Sequence, residues 1–232
     1  MAQDNIFFVW DELKGGIDDI FKLKNMKKDR YMKLYTQIYD YCTFVNSQNR
    51  HIPSPSQSES SGKLVGTELY KKLREYLKQH VQSVKIKGDG LKGEEMLSYF
   101  QKSWSDFRFS AIVLNGACAY LNKNWIKREY EEGRKNVVVV YCLALTMWRE
   151  YLFKPHCTDL VCAILKEIEK ERKGEPIYVI RLRKIIECLV ELGITGEPSL
   201  TISVNCSSLL GTPIPTVAST PTNREWVSFH SI

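Results

Sequence analysis

A helical spacing of apolar residues, recurring along the chain up to about residue 193, constrains the fold more than any other feature of the sequence. Leu69, Leu73, Leu77 and Val81 are spaced by four, which places them along one face of an α-helix. Four consecutive valines at 137–140 have strand propensity, but a helical pattern surrounds them. The sequence therefore predicts an all-α protein.

Glycine, proline and polar clusters divide this pattern into eight predicted helices. They cover residues 6–23, 29–45, 65–84, 94–104, 106–132, 138–152, 158–172 and 178–192. Residues 47–63 are rich in Ser and Pro, and we expect a mobile loop there. Residues 196–232 are dominated by Ser, Thr and Pro, and we expect them to be disordered.

Composition and charge narrow the class of protein. The formal net charge is +6, and the longest uncharged apolar run, residues 136–148, is shorter than the roughly 18 residues that a membrane span needs. The N-terminus has early acidic residues and no positively charged segment, so it does not resemble a signal peptide. The cysteines are seven, an odd number, and four of them fall inside apolar helical patterns, where a free thiol acts as a small apolar side chain, as in a reducing compartment. We expect a cytoplasmic and nuclear protein without a membrane partner.

Motifs that carry catalysis are missing from the sequence. It contains no GxGxxG, GxSxG or HExxH segment, and its four histidines are scattered. His156, Cys157 and Cys162 are the nearest approach to a metal cluster, but they lack a second ligand pair at zinc-like spacing. We therefore expect no catalytic residues, no metal and no cofactor, and a function in binding.

The helix predicted over residues 29–45 carries two different faces. Tyr31, Tyr35 and Tyr39 are spaced by four on one side, and Leu34 and Ile38 begin an aliphatic stripe on another. A tyrosine stripe can itself belong to a core, but here the aliphatic stripe already provides a core-facing side. Since Tyr and Trp anchor many protein interfaces, the tyrosine face is predicted to bind another protein.

Five segments of the sequence resemble cullins, in particular the SCF-type members of that family. They are WDELKGGI at 10–17, RYMKLYTQIYDYC at 30–42, ELYKKLREYLKQH at 68–80, VLNGACAYLNKNWIKREYEEGRK at 113–135 and LKEIEKERKGE at 165–175. The resemblance implies a helical solenoid of cullin repeats. It further implies one complete five-helix repeat over residues 1–135 and part of a second over 136–195.

The resemblance also implies a function, that of a non-catalytic scaffold in a ubiquitin ligase. In this family a Skp-type adaptor, which carries an F-box protein, packs on the second and fifth helices of the first repeat. The matching positions are Tyr31, Met32, Tyr35 and Tyr39 on the second helix and Asn122 and Trp125 on the fifth, with Tyr120 and Arg128 as further candidates. We expect the three tyrosine rings and the Trp125 indole to lie outside the interior of the bundle.

The chain differs from the family in length and at its C-terminal end. Cullins are several times longer, and the resemblance fades near Gly193. The cullin-homology region and the site for a RING subunit are therefore expected to be missing, so the chain alone should not support ubiquitin transfer. By occupying adaptors without delivering ubiquitin, such a chain could compete with a full-length scaffold, but the sequence leaves this open.

Two other binding functions are compatible with the sequence. One is a generic helical-repeat interaction module. The other is a nucleic-acid binder using the basic stretch Lys22–Lys33, whose affinity would fall steeply with salt.

Overall fold

The computed structural model describes residues 2–48, 58–134 and 136–193, and within these ranges it contains helices and no strands. The all-α prediction is confirmed. The first helices are α1 (Ala2–Phe21), α2 (Lys28–Gln48), α3 (Ser58–Gly88) and α4 (Gly93–Ala117). Helix α5 comprises Ala119–Leu121, a π-helical turn at Asn122–Ile126, and Lys127–Glu131. Helix α6 comprises Val140–Trp148, a π-helical turn at Arg149–Phe153, and Lys154–Arg172, and α7 is Val179–Glu191.

Several predicted helix boundaries are wrong. The break expected at residue 105 is absent, because Trp104 and Phe107 continue the same buried face of α4, and the break lies at Cys118 instead. The break expected between residues 152 and 158 is absent as well. Helix α6 continues through Pro155 because the π-helical turn before it provides the local adjustment that a proline ring requires.

The loop predicted over residues 47–63 is shorter than expected. Helix α2 ends at Gln48 and α3 begins at Ser58, so at least residues 58–63 are helical. Residues 49–57 and the tail at 196–232 lie outside the described residues. The domain boundary at residue 135 stays a prediction, although α1–α5, which we call the five-helix unit, end four residues before it.

A row of aromatic rings, which we call the aromatic row, runs through the core and joins four helices. The rings of Phe21 on α1 and His80 on α3 are 4.6 Å apart, and those of Phe21 and Phe107 on α4 are 5.8 Å apart. The ring of Trp148 on α6 lies 4.7 Å from that of Phe107. Helix α6 therefore shares its core with the five-helix unit.

Helix α7 lies against α4, and charged side chains join the two. The guanidinium of Arg108 on α4 donates to Glu191 at 2.8 Å, and that of Arg181 on α7 donates to Glu94 at 2.9 Å. Partly exposed pairs of this kind contribute modestly to stability, and they fix the direction of α7 along α4. No helix in the described ranges combines the length and apolar character that crossing a bilayer requires.

Two glycines inside helices differ in their surroundings, so replacing each with alanine should have opposite effects on stability. A Cβ added at Gly66 would lie 2.2 Å from Cγ of Trp125, whereas one added at Gly15 would meet only the Arg30 guanidinium at 3.8 Å. Alanine is favoured over glycine in a helix by about 1 kcal/mol, but overpacking a core costs about 1–3 kcal/mol. Urea unfolding followed by circular dichroism should show that Gly66→Ala destabilises the protein and that Gly15→Ala stabilises it. A Gly66→Ala protein as stable as Gly15→Ala would contradict the close packing of Trp125.

Candidate protein-binding site

Helix α2 has the two faces that its sequence predicts. The side chains of Leu34 and Ile38 are each 1% exposed and belong to the core, whereas Tyr35 is half-buried and Tyr39 is 42% exposed. Met32 is also half-buried, on the exposed side of the helix. The aliphatic side of α2 therefore packs into the bundle, and the side with Met32, Tyr35 and Tyr39 reaches solvent.

A contact between two tyrosines joins this face to α5. The ring centroids of Tyr39 and Tyr120 are 4.7 Å apart, with an interplanar angle of 74°. This edge-to-face arrangement is one of the favourable geometries for aromatic pairs. Tyr120 is half-buried, so both rings keep an accessible side. Met32, Tyr35, Tyr39 and Tyr120 are called the aromatic surface below.

Tyr31 lies deeper than the other tyrosines of α2. Its hydroxyl oxygen is 2.7 Å from the position that a Cβ on Gly116 would occupy, so it fills the space that this glycine leaves on α4. Burial, together with the nearby Cys118 and Tyr35, raises the pKa of Tyr31 to about 12. Tyr31 therefore joins α2 to α4 and contributes only part of its ring to the surface.

Trp125 does not lie outside the bundle, and the expectation that its indole is exposed is wrong. It is 7% exposed, and its ring centroid lies 5.3 Å from that of Tyr70. Leu121 and Trp125 are spaced by four and buried together, on the side of α5 away from Tyr120. The burial of Trp125 could have been predicted from its spacing in the sequence. One buried face of the helix runs through Cys118, Leu121, Trp125 and Glu129.

Asn122 is likewise inside, at 8% exposed. Its side-chain NH₂ donates to Oδ1 of Asn115 at 2.9 Å, and its own Oδ1 accepts the backbone N–H of Val140 at 3.1 Å. Both the nitrogen and the oxygen of the Asn122 carboxamide are therefore hydrogen-bonded, the nitrogen to α4 and the oxygen to α6. Arg128 is exposed on α5, eight residues after Tyr120.

Acidic residues of α1 neutralise part of the basic stretch at 22–33. Lys24 donates to Asp19 at 2.8 Å and Arg30 donates to the same carboxylate at 3.3 Å, while Lys22 lies 3.6 Å from Asp18. The hydrogen bond from Lys24, with help from Arg30, lowers the pKa of Asp19. The stretch therefore presents less net positive charge than its sequence suggests, which weakens the nucleic-acid alternative.

Among the described residues, no three His, Cys, Asp or Glu side chains are arranged to hold a metal ion. His156 lies instead beside Asp89, with 3.3 Å between Nε2 and Oδ1.

Comparison with known proteins places these features in a family. The family model described as the cullin alpha solenoid domain matches residues 10–204. The chain is 40% identical to Cullin-1 of Caenorhabditis elegans over 194 residues, which is 80% of this chain and 25% of the relative. It is 33% identical to Cullin-1 of Dictyostelium discoideum, over 84% of this chain and 26% of the relative.

A third relative carries a different name. Cell division control protein 53 of Saccharomyces cerevisiae is 29% identical over 87% of this chain and 26% of its own length. The chain therefore spans about a quarter of the length of the curated relatives it matches.

Proposed function

Since the chain belongs to the cullin family, we propose that it acts as a non-catalytic scaffold of a cullin-type ubiquitin ligase, in ubiquitin-dependent protein catabolism. Relatives named Cullin-1 and Cell division control protein 53 support this assignment. A scaffold acts by binding other proteins, so the function of this chain depends on its protein-binding surfaces.

The partner we propose is a Skp-type adaptor, which in turn carries an F-box protein. Its binding site is the aromatic surface of Met32, Tyr35, Tyr39 and Tyr120, with the exposed part of Tyr31 and with Arg128 at its edge. Asn122 and Trp125 support this surface from inside the bundle. The single observation that carries the proposal is the contact between Tyr39 and Tyr120, which makes one continuous surface of two helices.

The chemistry of this surface suits a protein partner. Half-buried tyrosines offer apolar area at low cost in rotamer entropy, and their hydroxyl groups tolerate water when no partner is bound. Met32 adds a flexible apolar side chain that adapts to the shape of the partner. Because the surface has few charges, its affinity should depend weakly on salt.

Removing the rings of Tyr35 and Tyr39 from α2 should abolish most of the binding. The double variant Tyr35→Ala, Tyr39→Ala should weaken the affinity for a purified Skp-type adaptor at least tenfold, since interface anchors of this type contribute about 1–2 kcal/mol or more each. Isothermal titration calorimetry at two salt concentrations measures this effect. Tyr31 is left intact because its hydroxyl supports the packing of α2 against α4.

Tyr178→Ala provides the matched control for this experiment. Tyr178 is 70% exposed, precedes α7 and lies outside the aromatic surface, so its loss should leave adaptor affinity unchanged. Unaltered affinity of the double variant, with unaltered helical circular dichroism, would contradict the proposed surface. Binding that disappears on raising the salt would instead favour an interaction through Lys22–Lys33.

A further inference from the structure

Helix α6 begins without a capping residue of its own. Its first residue is Val140, and the preceding Val139 has extended backbone geometry and no side chain that can accept a hydrogen bond. The first backbone N–H groups of a helix have no partner within the helix, and they are costly to bury unpaired. Val139 and Val140 are both buried, so these groups need partners from elsewhere in the protein.

Two asparagines of the five-helix unit provide these partners. Oδ1 of Asn122 on α5 accepts the N–H of Val140 at 3.1 Å, and Oδ1 of Asn115 on α4 accepts the N–H of Tyr141 at 3.1 Å. The two side chains are joined because Asn122 donates its NH₂ to Oδ1 of Asn115 at 2.9 Å. Together they act as the N-cap that the sequence around Val139 lacks.

A tyrosine of α3 holds the residue just before this helix start. The hydroxyl of Tyr70 donates to the carbonyl of Val138 at 3.0 Å and accepts the N–H of the same residue at 3.1 Å. The Tyr70 ring is itself fixed against Trp125. Three side chains from three helices thus each bind a different backbone N–H of the segment 138–141.

We propose that Tyr70, Asn115 and Asn122, here called the amide clasp, are positioning residues that set the direction in which α6 leaves the five-helix unit. The hydroxyl and the two carboxamides leave the start of α6 little freedom to rotate, because each must stay at hydrogen-bond distance from a particular backbone group of residues 138–141. In a scaffold, this direction decides where bound partners lie relative to the rest of the chain. The role differs from that expected for Asn122 by resemblance, which was contact with an adaptor.

The proposal is tested on the whole chain, without a partner, by nuclear magnetic resonance. Amide hydrogen exchange should rise about tenfold at Tyr141 in Asn115→Leu and at Val140 in Asn122→Leu, because each loses its acceptor. Asn115→Asp keeps an oxygen at the same place and should retain the protection of Tyr141. Residual dipolar couplings should report a changed direction of α6 relative to α2 in Asn115→Leu and an unchanged direction in Asn115→Asp.

Asn124→Ala is the matched control, because Asn124 is exposed on α5 and donates only within its own helix, to the carbonyl of Tyr120. It should alter neither measurement. Tyr70→Phe keeps the ring and removes one oxygen, so it tests the clasp even if a leucine variant does not fold, and it should raise exchange at Val138 alone. Unchanged exchange at Val138 in this variant, or equal exchange in Asn115→Leu and Asn115→Asp, would overturn the proposal.

Discussion

Replacing Trp148 with alanine is expected to lower the free energy of unfolding by about 3–5 kcal/mol, the usual cost of removing a large aromatic side chain from a core. Trp148 is 0% exposed, and its ring contacts those of Phe100, Trp104 and Phe107 on α4 at centroid distances of 6.0, 5.4 and 4.7 Å. The cavity would open between α6 and the five-helix unit. Denaturant unfolding monitored by circular dichroism measures the loss.

The variant Trp148→Phe separates the contribution of ring packing from that of the unpaired indole N–H. The indole N–H of Trp148 is buried and has no acceptor among the described residues, and such an unpaired donor costs about 1–3 kcal/mol. Trp148→Phe removes this penalty while it retains most of the ring contacts, so it should cost about 1.5 kcal/mol or less. Val161→Ala, an exposed position on α6, should cost less than about 0.5 kcal/mol. A Trp148→Phe protein as unstable as Trp148→Ala would refute this account of the indole N–H.

Acidification is expected to destabilise the protein through His80, the second member of the aromatic row. Burial, with a further contribution from the nearby Lys87, lowers the pKa of His80 to about 4, although Asp18 acts in the opposite direction. The unfolded chain takes up a proton near pH 6.5 and the folded chain only near pH 4. Stability is therefore complete above pH 6.5 and is lost as the pH falls toward 4. Between pH 7 and pH 5 this group should remove about 2 kcal/mol.

Comparison of variants isolates this titration from the other ionisable groups. His80→Phe and His80→Gln both lack the titrating imidazole but differ in packing, so the two should share a flatter dependence of unfolding free energy on pH than the parent protein. The comparison at pH 7 and pH 5 stays above the ordinary range of carboxyl groups. An identical pH dependence in the parent and both variants would show that the imidazole is not held neutral in the core.

The division of α2 into two faces was predictable from sequence. Leu34 and Ile38 are spaced for one helical face and Tyr35 and Tyr39 for another, and a local pattern suffices because each face is uniform in character. The helix count of the five-helix unit was also predictable from the resemblance. The two faces of α2 and the number of helices around it determine where the aromatic surface can form.

The orientation of α5 was not predicted correctly. The resemblance named Asn122 and Trp125 as adaptor-binding positions, and the Trp125 indole was expected outside the bundle, whereas both side chains are buried. Gly66 makes room for the Trp125 indole from a position far away in sequence, and no local pattern reveals that pocket. The partners of Asn122 likewise lie on other helices, so its capping role emerges only from the three-dimensional arrangement.

Helices α4 and α6 continue past the residues at which the sequence predicted breaks, and the reason again lies in tertiary structure. Proline is the strongest local signal for a helix end, yet Pro155 lies within α6 because the π-helical turn before it changes the local geometry. Such a turn has no dependable sequence signature. Trp148, just before the turn, and Phe153, the last residue of the turn, are both buried in the core, and this tertiary packing favours the continuous helix.

The aromatic row has a practical consequence for anyone who divides this chain into smaller pieces. A peptide ending near residue 135 would expose the faces of Phe100, Trp104 and Phe107 that Trp148 now covers. Contiguous exposed rings of this kind promote self-association and precipitation. The shortest piece that is expected to remain monodisperse in solution must therefore extend past the first turns of α6, beyond the place where a comparison of repeats alone would suggest cutting.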